Sequence, residues 1–136
     1  MRVETTSAEQ TEAAGARLAD RLRAGDVVIV SGELGAGKTT FVRGAARALG
    51  VEGPVTSPTF EIGHLYGGRL EVAHLDLYRL PSLAAEDPAL LDDYLTPDRV
   101  AFVEWPGDAA AAIERVAARV TIEHLGGDRR AIEVDG

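Results

Sequence analysis

Gly32, Gly37, Lys38 and Thr39 stand in the order G-x-x-x-x-G-K-[ST] within VVIVSGELGAGKTTFVRG, residues Val27 to Gly44. That spacing suits the holding of phosphates. Glycines open backbone conformations closed to other residues, so successive N–H groups can turn inward around an anion at the positive end of the helix that follows. Lys38 is the only lysine in a chain with thirteen arginines. Its compact ammonium can sit between two phosphates of a nucleotide, a space that a broad, planar guanidinium does not fit. Thr39 offers a hydroxyl to Mg²⁺. The loop that would take the phosphates runs from Gly32 to Thr39. A glycine-rich turn that matches by accident is the bland alternative. The apolar run before the motif and the helical pattern after it favour the phosphate site.

Hydrolysis of a phosphoanhydride also needs an acid near the metal and a group that orients water. Asp76 ends the strand-like run RLEVAHLD and Glu104 follows VAFV. Ligands of open α/β sheets gather where parallel strands end. Asp76 can hold Mg²⁺ there through a water, and Glu104 can orient the attacking water or complete the metal shell; solvated strand ends are the plainer reading of both. Thr56, Ser57 and Thr59 surround Pro58, either as a switch that senses a terminal phosphate or as an ordinary turn-rich loop. Trp105 is the lone tryptophan, a core residue or a surface one. His64, His74 and His124 read as pairing or packing residues, and Arg43, Arg47 and Arg79 as solvated cations able to meet a phosphate or an acidic partner. No N-K-x-D or T-K-x-D motif is present, which favours adenine over guanine.

These groups need a scaffold that brings strand ends together. Ser7 and Gln10 form a capping-box pattern before Ala14, Leu18 and Leu22, so the spacing predicts a helix from Ala8 to Ala24, stopped by Gly25. VVIV reads as a strand buried on both faces, and Lys38 to Leu49 as a helix stopped by Gly50. TFEIGHLY and RLEVAHLD flank Gly67 and Gly68, the spacing of a two-residue hairpin turn. Pro81 to Pro97 reads as polar loop with a short helix from Ala84 to Tyr94. RVAFVE reads as a buried strand, Asp108 to Ala118 as a helix, and VTIEHL with AIEV as a hairpin across GGD. The order predicts one α/β domain over residues 1–136, a three-layer P-loop NTPase-like fold with a mixed central sheet.

Composition bounds the rest. Hydrophobic residues make up 46% and charged residues 26%, the balance of a globular protein. No apolar run approaches the roughly 18 residues of a membrane span, and the N-terminal segment lacks a signal-peptide core, so a cytoplasmic protein without membrane partners is expected. With no cysteine and three scattered histidines, any metal is held by oxygen. A net charge of −8 repels a nucleic-acid backbone and disfavours direct binding to it.

GELGAGKTTFVRG, TSPTF, HLDLYRL and VEWP, in that order, make the chain similar to the TsaE (YjeE) family. The resemblance implies a P-loop ATPase of tRNA threonylcarbamoyladenosine formation, with ATP/ADP and Mg²⁺ as ligands. It implies TsaB and TsaD as partners, and tRNA met only through their complex. It also implies a hydrolase weak alone and stimulated by those partners. By that resemblance Leu34, Gly35, Ala36, Gly37, Lys38, Thr39 and Thr40 bind the nucleotide's phosphates, Thr39, Asp76 and Glu104 serve Mg²⁺, Asp76 is the Walker B acid, Thr59 the switch hydroxyl, and Trp105 a residue near the nucleotide. Arg129 is suggested as a nucleotide contact, and the segment near Ala8 as a lining of the adenine. ALLDDYL departs from the family's pattern before Tyr94 and Leu95. A nucleotide-gated binding module that does not hydrolyse, or a small P-loop kinase, are the alternatives.

Overall fold

Four apolar residues in a row at Val27 to Val30 leave no face of their strand for water, so that strand has to lie inside a sheet covered on both sides. The computed structural model, which describes residues 2–33, 36–55, 63–76, 94–104 and 116–136, places it there. The elements are β1 (Arg2–Thr5), α1 (Ala8–Ala19), β2 (Val27–Gly32), α2 (Lys38–Ala48), β3 (Gly63–Tyr66), β4 (Glu71–Asp76), β5 (Arg99–Glu104), β6 (Val116–Gly126) and β7 (Arg129–Asp135). The sheet order is β1-β7-β6-β2-β5-β4-β3. The neighbours β6, β2, β5 and β4 run parallel, while β7, β1 and β3 extend the sheet antiparallel at its margins.

Alternation along the parallel strands divides the interior into two cores. Val28, Val30, Val72, Val100 and Phe102 pack with Leu18, Phe41, Val42 and Ala45 of the helices. On the other face Val27, Ala73, Leu75, Ala101 and Val103 form a second cluster against Tyr94 and Leu95. A mixed sheet whose central strands are buried on both faces is the architecture expected from the sequence, while β6, β7 and β1 leave alternate residues exposed.

Helix α1 begins as its cap predicts. Ser7 Oγ accepts from Gln10 N at 3.2 Å, and Gln10 Oε1 accepts from Thr6 N at 2.8 Å. It ends at Ala19 and not at Ala24. From Gly25 onward the chain is already tied to β5, with Gly25 N donating to Arg99 O at 2.7 Å and Ala101 N to Asp26 O at 3.0 Å. Strand pairing therefore overrides the helical pattern. The glycines that matter most for packing are Gly15 and Gly44. A Cβ on Gly15 would lie 2.1 Å from Phe41 O, and one on Gly44 would lie 1.9 Å from Glu12 O. The two helices thus touch backbone to backbone, and Glu12 is left within 3.6 Å of Arg43 and 3.7 Å of Arg47 as ion pairs across the contact.

Three further expectations change. Tyr66 pairs with Val72, so Gly67 and Gly68 do not form a two-residue turn. The wider loop docks on the end of α2 instead, where Arg69 N donates to Leu49 O at 2.8 Å and Gly68 lies too close to Leu49 and Val51 for a side chain. Val116 to Ala118 belong to β6, not to a helix, because Val116 and Ala118 pair with Val27 and Val28 of β2. Residues 2–5 form β1, an edge strand the sequence did not announce. The hairpin across GGD forms as expected, with Gly126 opposite Arg129 and Gly127 left-handed at φ 53°. Residues 59–62, 84–93 and 108–115 of the predicted elements lie outside the described residues.

Gly44→Ala should lower unfolding stability by about 2–3 kcal/mol, because a methyl group forced against backbone separates the helices. Gly67→Ala, with open space around it, should stay within about 0.5 kcal/mol. Urea denaturation of the two variants beside the parent checks both.

Candidate phosphate site at the carboxyl ends of the parallel strands

Parallel strands deliver their carboxyl ends to one edge of the sheet, and the register aligns what stands there. Val30 of β2 lies opposite Glu104 of β5, which lies opposite Asp76 of β4. The glycine loop leaves β2 two residues beyond Val30. Gly32 is required by packing, since a Cβ there would meet Ile122 O of β6 at 2.5 Å. Gly37 is required by conformation: it is the N-cap of α2 with φ 104°, left-handed, a region that disfavours any side chain. Two glycines of one motif thus answer to different constraints.

Lys38 occupies the first position of α2 and is only 5% exposed. A cation at the positive end of a helix is placed against the helix dipole, and burial adds a desolvation cost. The ammonium is offset by donating to Gly32 O and Glu33 O, both at 2.8 Å. Desolvation holds its pKa below 10.5, while the charges of Glu104 and Asp76 pull it back up. No acidic residue lies in the first turn of α2, and no side chain caps it. The helix end therefore presents positive potential and one buried ammonium to the same place, an arrangement chemically suited to an anion.

Glu104 is 2% exposed and bonds through Oε2 to Nε2 of the fully buried His74. Both project from the face of the sheet that carries the helices, where His74 lies beside Phe102 and Asp76 beside Glu104. Thr39 is half-buried in the first turn of α2. Two carboxylates and a hydroxyl are hard oxygen donors of the type that Mg²⁺ accepts alongside phosphate oxygens, so the residues present fit that ion. Among the described residues no three His, Asp or Glu side chains cluster as a metal site on their own.

The structure brings Ala36, Gly37, Lys38, Thr39, Asp76 and Glu104 to one edge of the sheet. Leu34, Gly35, Thr59 and Trp105 lie outside the described residues. The guanidinium of Arg129 pairs with Glu4 at 3.7 Å, on the β1 side. Arg130 approaches the loop, its Nε 3.4 Å from where a Cβ of Gly37 would stand. Strand alternation was the signal available for this, because Ile132 and Val134 pack under the helices and Arg130 shares their face. Thr11 of α1 lies beside the same glycine. Arg43 and Arg47 are engaged with Glu12 and so belong to the helix pair.

Strand, glycine loop, helix, and an acid at the end of each of two neighbouring parallel strands define a P-loop NTPase-like α/β protein. A sequence model of the family described as "Threonylcarbamoyl adenosine biosynthesis protein TsaE" matches residues 5–132. The chain belongs to the TsaE family. The protein of Streptomyces coelicolor named tRNA threonylcarbamoyladenosine biosynthesis protein TsaE is 44% identical over 117 residues, which cover 84% of this chain and 79% of that one. The protein of the same name from Treponema pallidum is 34% identical over 134 residues, 98% of this chain and 99% of that one. The crystal structure of Bacillus subtilis YdiB superposes with a TM-score of 0.74 at 33% identity, covering 97% of this chain and 82% of that one. No helix among the described residues is long and apolar enough to cross a membrane.

The depressed pKa of Lys38 sets the sign of a pH effect. As pH rises through the folded-state value, the native protein gives up this proton first, so up to 10.5 the unfolded chain binds more protons and stability gains from this group. The stability of the parent relative to Lys38→Met should therefore improve as pH rises toward 10.5 and level off there. Paired urea titrations at rising alkaline pH measure that difference.

Proposed function

We propose that this chain is an ATPase that supports threonylcarbamoyl modification of tRNA adenosine next to the anticodon. The observation that carries this reading is the buried Lys38 ammonium at the start of α2, facing the acids Asp76 and Glu104 that end β4 and β5. The names of its relatives supply the pathway, and the P-loop supplies the activity. TsaB and TsaD are the partners that fit, in the cytoplasm, and a net charge of −8 assigns contact with tRNA to them.

In this mechanism the triphosphate of ATP enters the loop between Gly32 and Thr39 and takes Lys38 from the carbonyls of Gly32 and Glu33. Exchange of two neutral acceptors for charged phosphate oxygens strengthens the ammonium's hydrogen bonds. Backbone N–H groups at the start of α2 meet the phosphates, and Arg130 adds a guanidinium at the rim by Gly37. Thr39 and Asp76 would hold Mg²⁺, which when bound offsets charge on the β- and γ-phosphoryl oxygens. Glu104 accepts a hydrogen bond from the attacking water and sets its line of approach to phosphorus. The segment around Thr59 and Trp105 would report the loss of the terminal phosphate to the partners.

Lys38→Ala should weaken ATP binding by at least about 100-fold, since a charged hydrogen-bond donor is removed from a desolvated site. Glu104→Ala should retain binding and lose hydrolysis by about 100-fold or more. Phosphate release by the purified protein, titrated with TsaB and TsaD, together with calorimetric ATP binding, tests both. Binding without phosphate release at any partner concentration would instead identify a module controlled by nucleotide occupancy alone.

A further inference from the structure

His74 is the buried titratable group to which the mechanism above gives no task. It is fully buried on β4, in register with Phe102 and on the face lined by Val72 and Val100. Imidazole in such a place ordinarily satisfies both ring nitrogens. Here only Nε2 is engaged, by Glu104 Oε2, and Nδ1 has no hydrogen-bond partner. This asymmetry fixes the tautomer. With the proton on Nε2, the ring donates to the carboxylate and Nδ1 carries a bare lone pair. With the proton on Nδ1, a buried N–H would be left without an acceptor, and that uncompensated desolvation disfavours it. The arrangement is therefore a single donor aimed at one oxygen of one carboxylate.

The consequence falls on Glu104. A glutamate loses rotamer freedom when it is ordered, and an active site gains if that cost is met before substrate arrives. Pinning Oε2 fixes the carboxylate's position and plane at the end of β5 and keeps Oε1 outside this bond. Both members stand on strands in direct register, at positions that cannot shift without disturbing the central ladder. We infer that His74 is the positioning residue for Glu104: its Nε2–H holds Oε2 so that the other oxygen is set in advance for water at the phosphate site. This rests on the hydrolytic reading of Glu104 given above.

Two substitutions separate positioning from filling space. His74→Gln places an amide nitrogen the same number of bonds from Cβ as Nε2, whereas His74→Asn places one where Nδ1 stands. Steady-state ATP hydrolysis in the presence of TsaB and TsaD should show kcat reduced about 10–100-fold in His74→Asn. Gln should keep kcat within about fivefold of the parent, and KM for ATP should move less than about threefold in both. Long-range proton–nitrogen spectra of the nucleotide-free parent should show His74 protonated at Nε2 and bare at Nδ1. A proton on Nδ1, or an Asn variant as fast as the parent, would overturn the assignment while leaving the ATPase reading intact. A parent that releases no phosphate even with its partners would overturn the ATPase reading, and this role with it.

Discussion

A lysine ammonium kept out of water at the positive end of a helix is the constraint that organises the rest of this molecule. Alone, such a charge would be expelled or neutralised. Lys38 persists because two loop carbonyls accept from it and because Asp76 and Glu104 lend it negative potential. Those acids can do so only if β4, β5 and β2 run in the same direction and end together. Parallel pairing is thus a requirement of the site, as the alignment of Val30, Glu104 and Asp76 in one row across the sheet makes plain. The antiparallel pairings of β1, β7 and β3 carry no such duty and flank the parallel strands. Edge strands β1 and β3 are four residues long each, too short to offer much open ladder to another chain.

The same demand explains why α2 is fastened at both ends. Its first turn is set by the left-handed Gly37 and by Lys38. Its last turn receives the loop between β3 and β4, whose Arg69 and Leu70 amides reach Leu49 O. Between these ends Gly15 and Gly44 let α1 lie against it at backbone distance. An interior so tightly packed transmits displacement, so a shift of α1 would reach the loop through Thr11, which sits beside Gly37.

Sequence alone disclosed the parts of this structure that local pattern controls. The cap at Ser7, the doubly buried β2, the motif glycines and the GGD turn each follow from residues within a few positions of one another. What it missed depended on distant partners. The early end of α1 follows from pairing of residues 25 and 26 with β5. The wider β3–β4 loop follows from α2 beneath it, and strand β1 exists because β7 offers it a ladder. At the site, Asp76 and Glu104 were legible as strand-end acids, but His74 read as a packing residue because nothing in the chain order links it to Glu104, thirty residues away. Arg130 was passed over for its neighbour Arg129 since the face each occupies depends on the pairing of β7, not on composition.

Buried polarity is concentrated where the chemistry would be. Among the described residues the buried polar and charged side chains are Thr5, Thr11, Lys38, His74 and Glu104. Thr5 and Thr11 hydrogen-bond each other at 2.8 Å next to Gly37, Lys38 stands at the following position, and Glu104 with His74 closes the far side. Thr11, Lys38 and Glu104 thus stand at or near the end of the sheet where the loop lies, each of the first and last with one further buried polar partner. Each of them costs desolvation that an apolar residue of similar size would avoid, so the group as a whole runs against stability. Beside His74 and Glu104 the strands carry apolar Leu75 and Val103, so the polar pair interrupts an otherwise apolar run. The convergence of Thr11, Lys38 and Glu104 on the turn after β2 is the mark of a structure that accepts a weaker core at one edge in order to hold charge there.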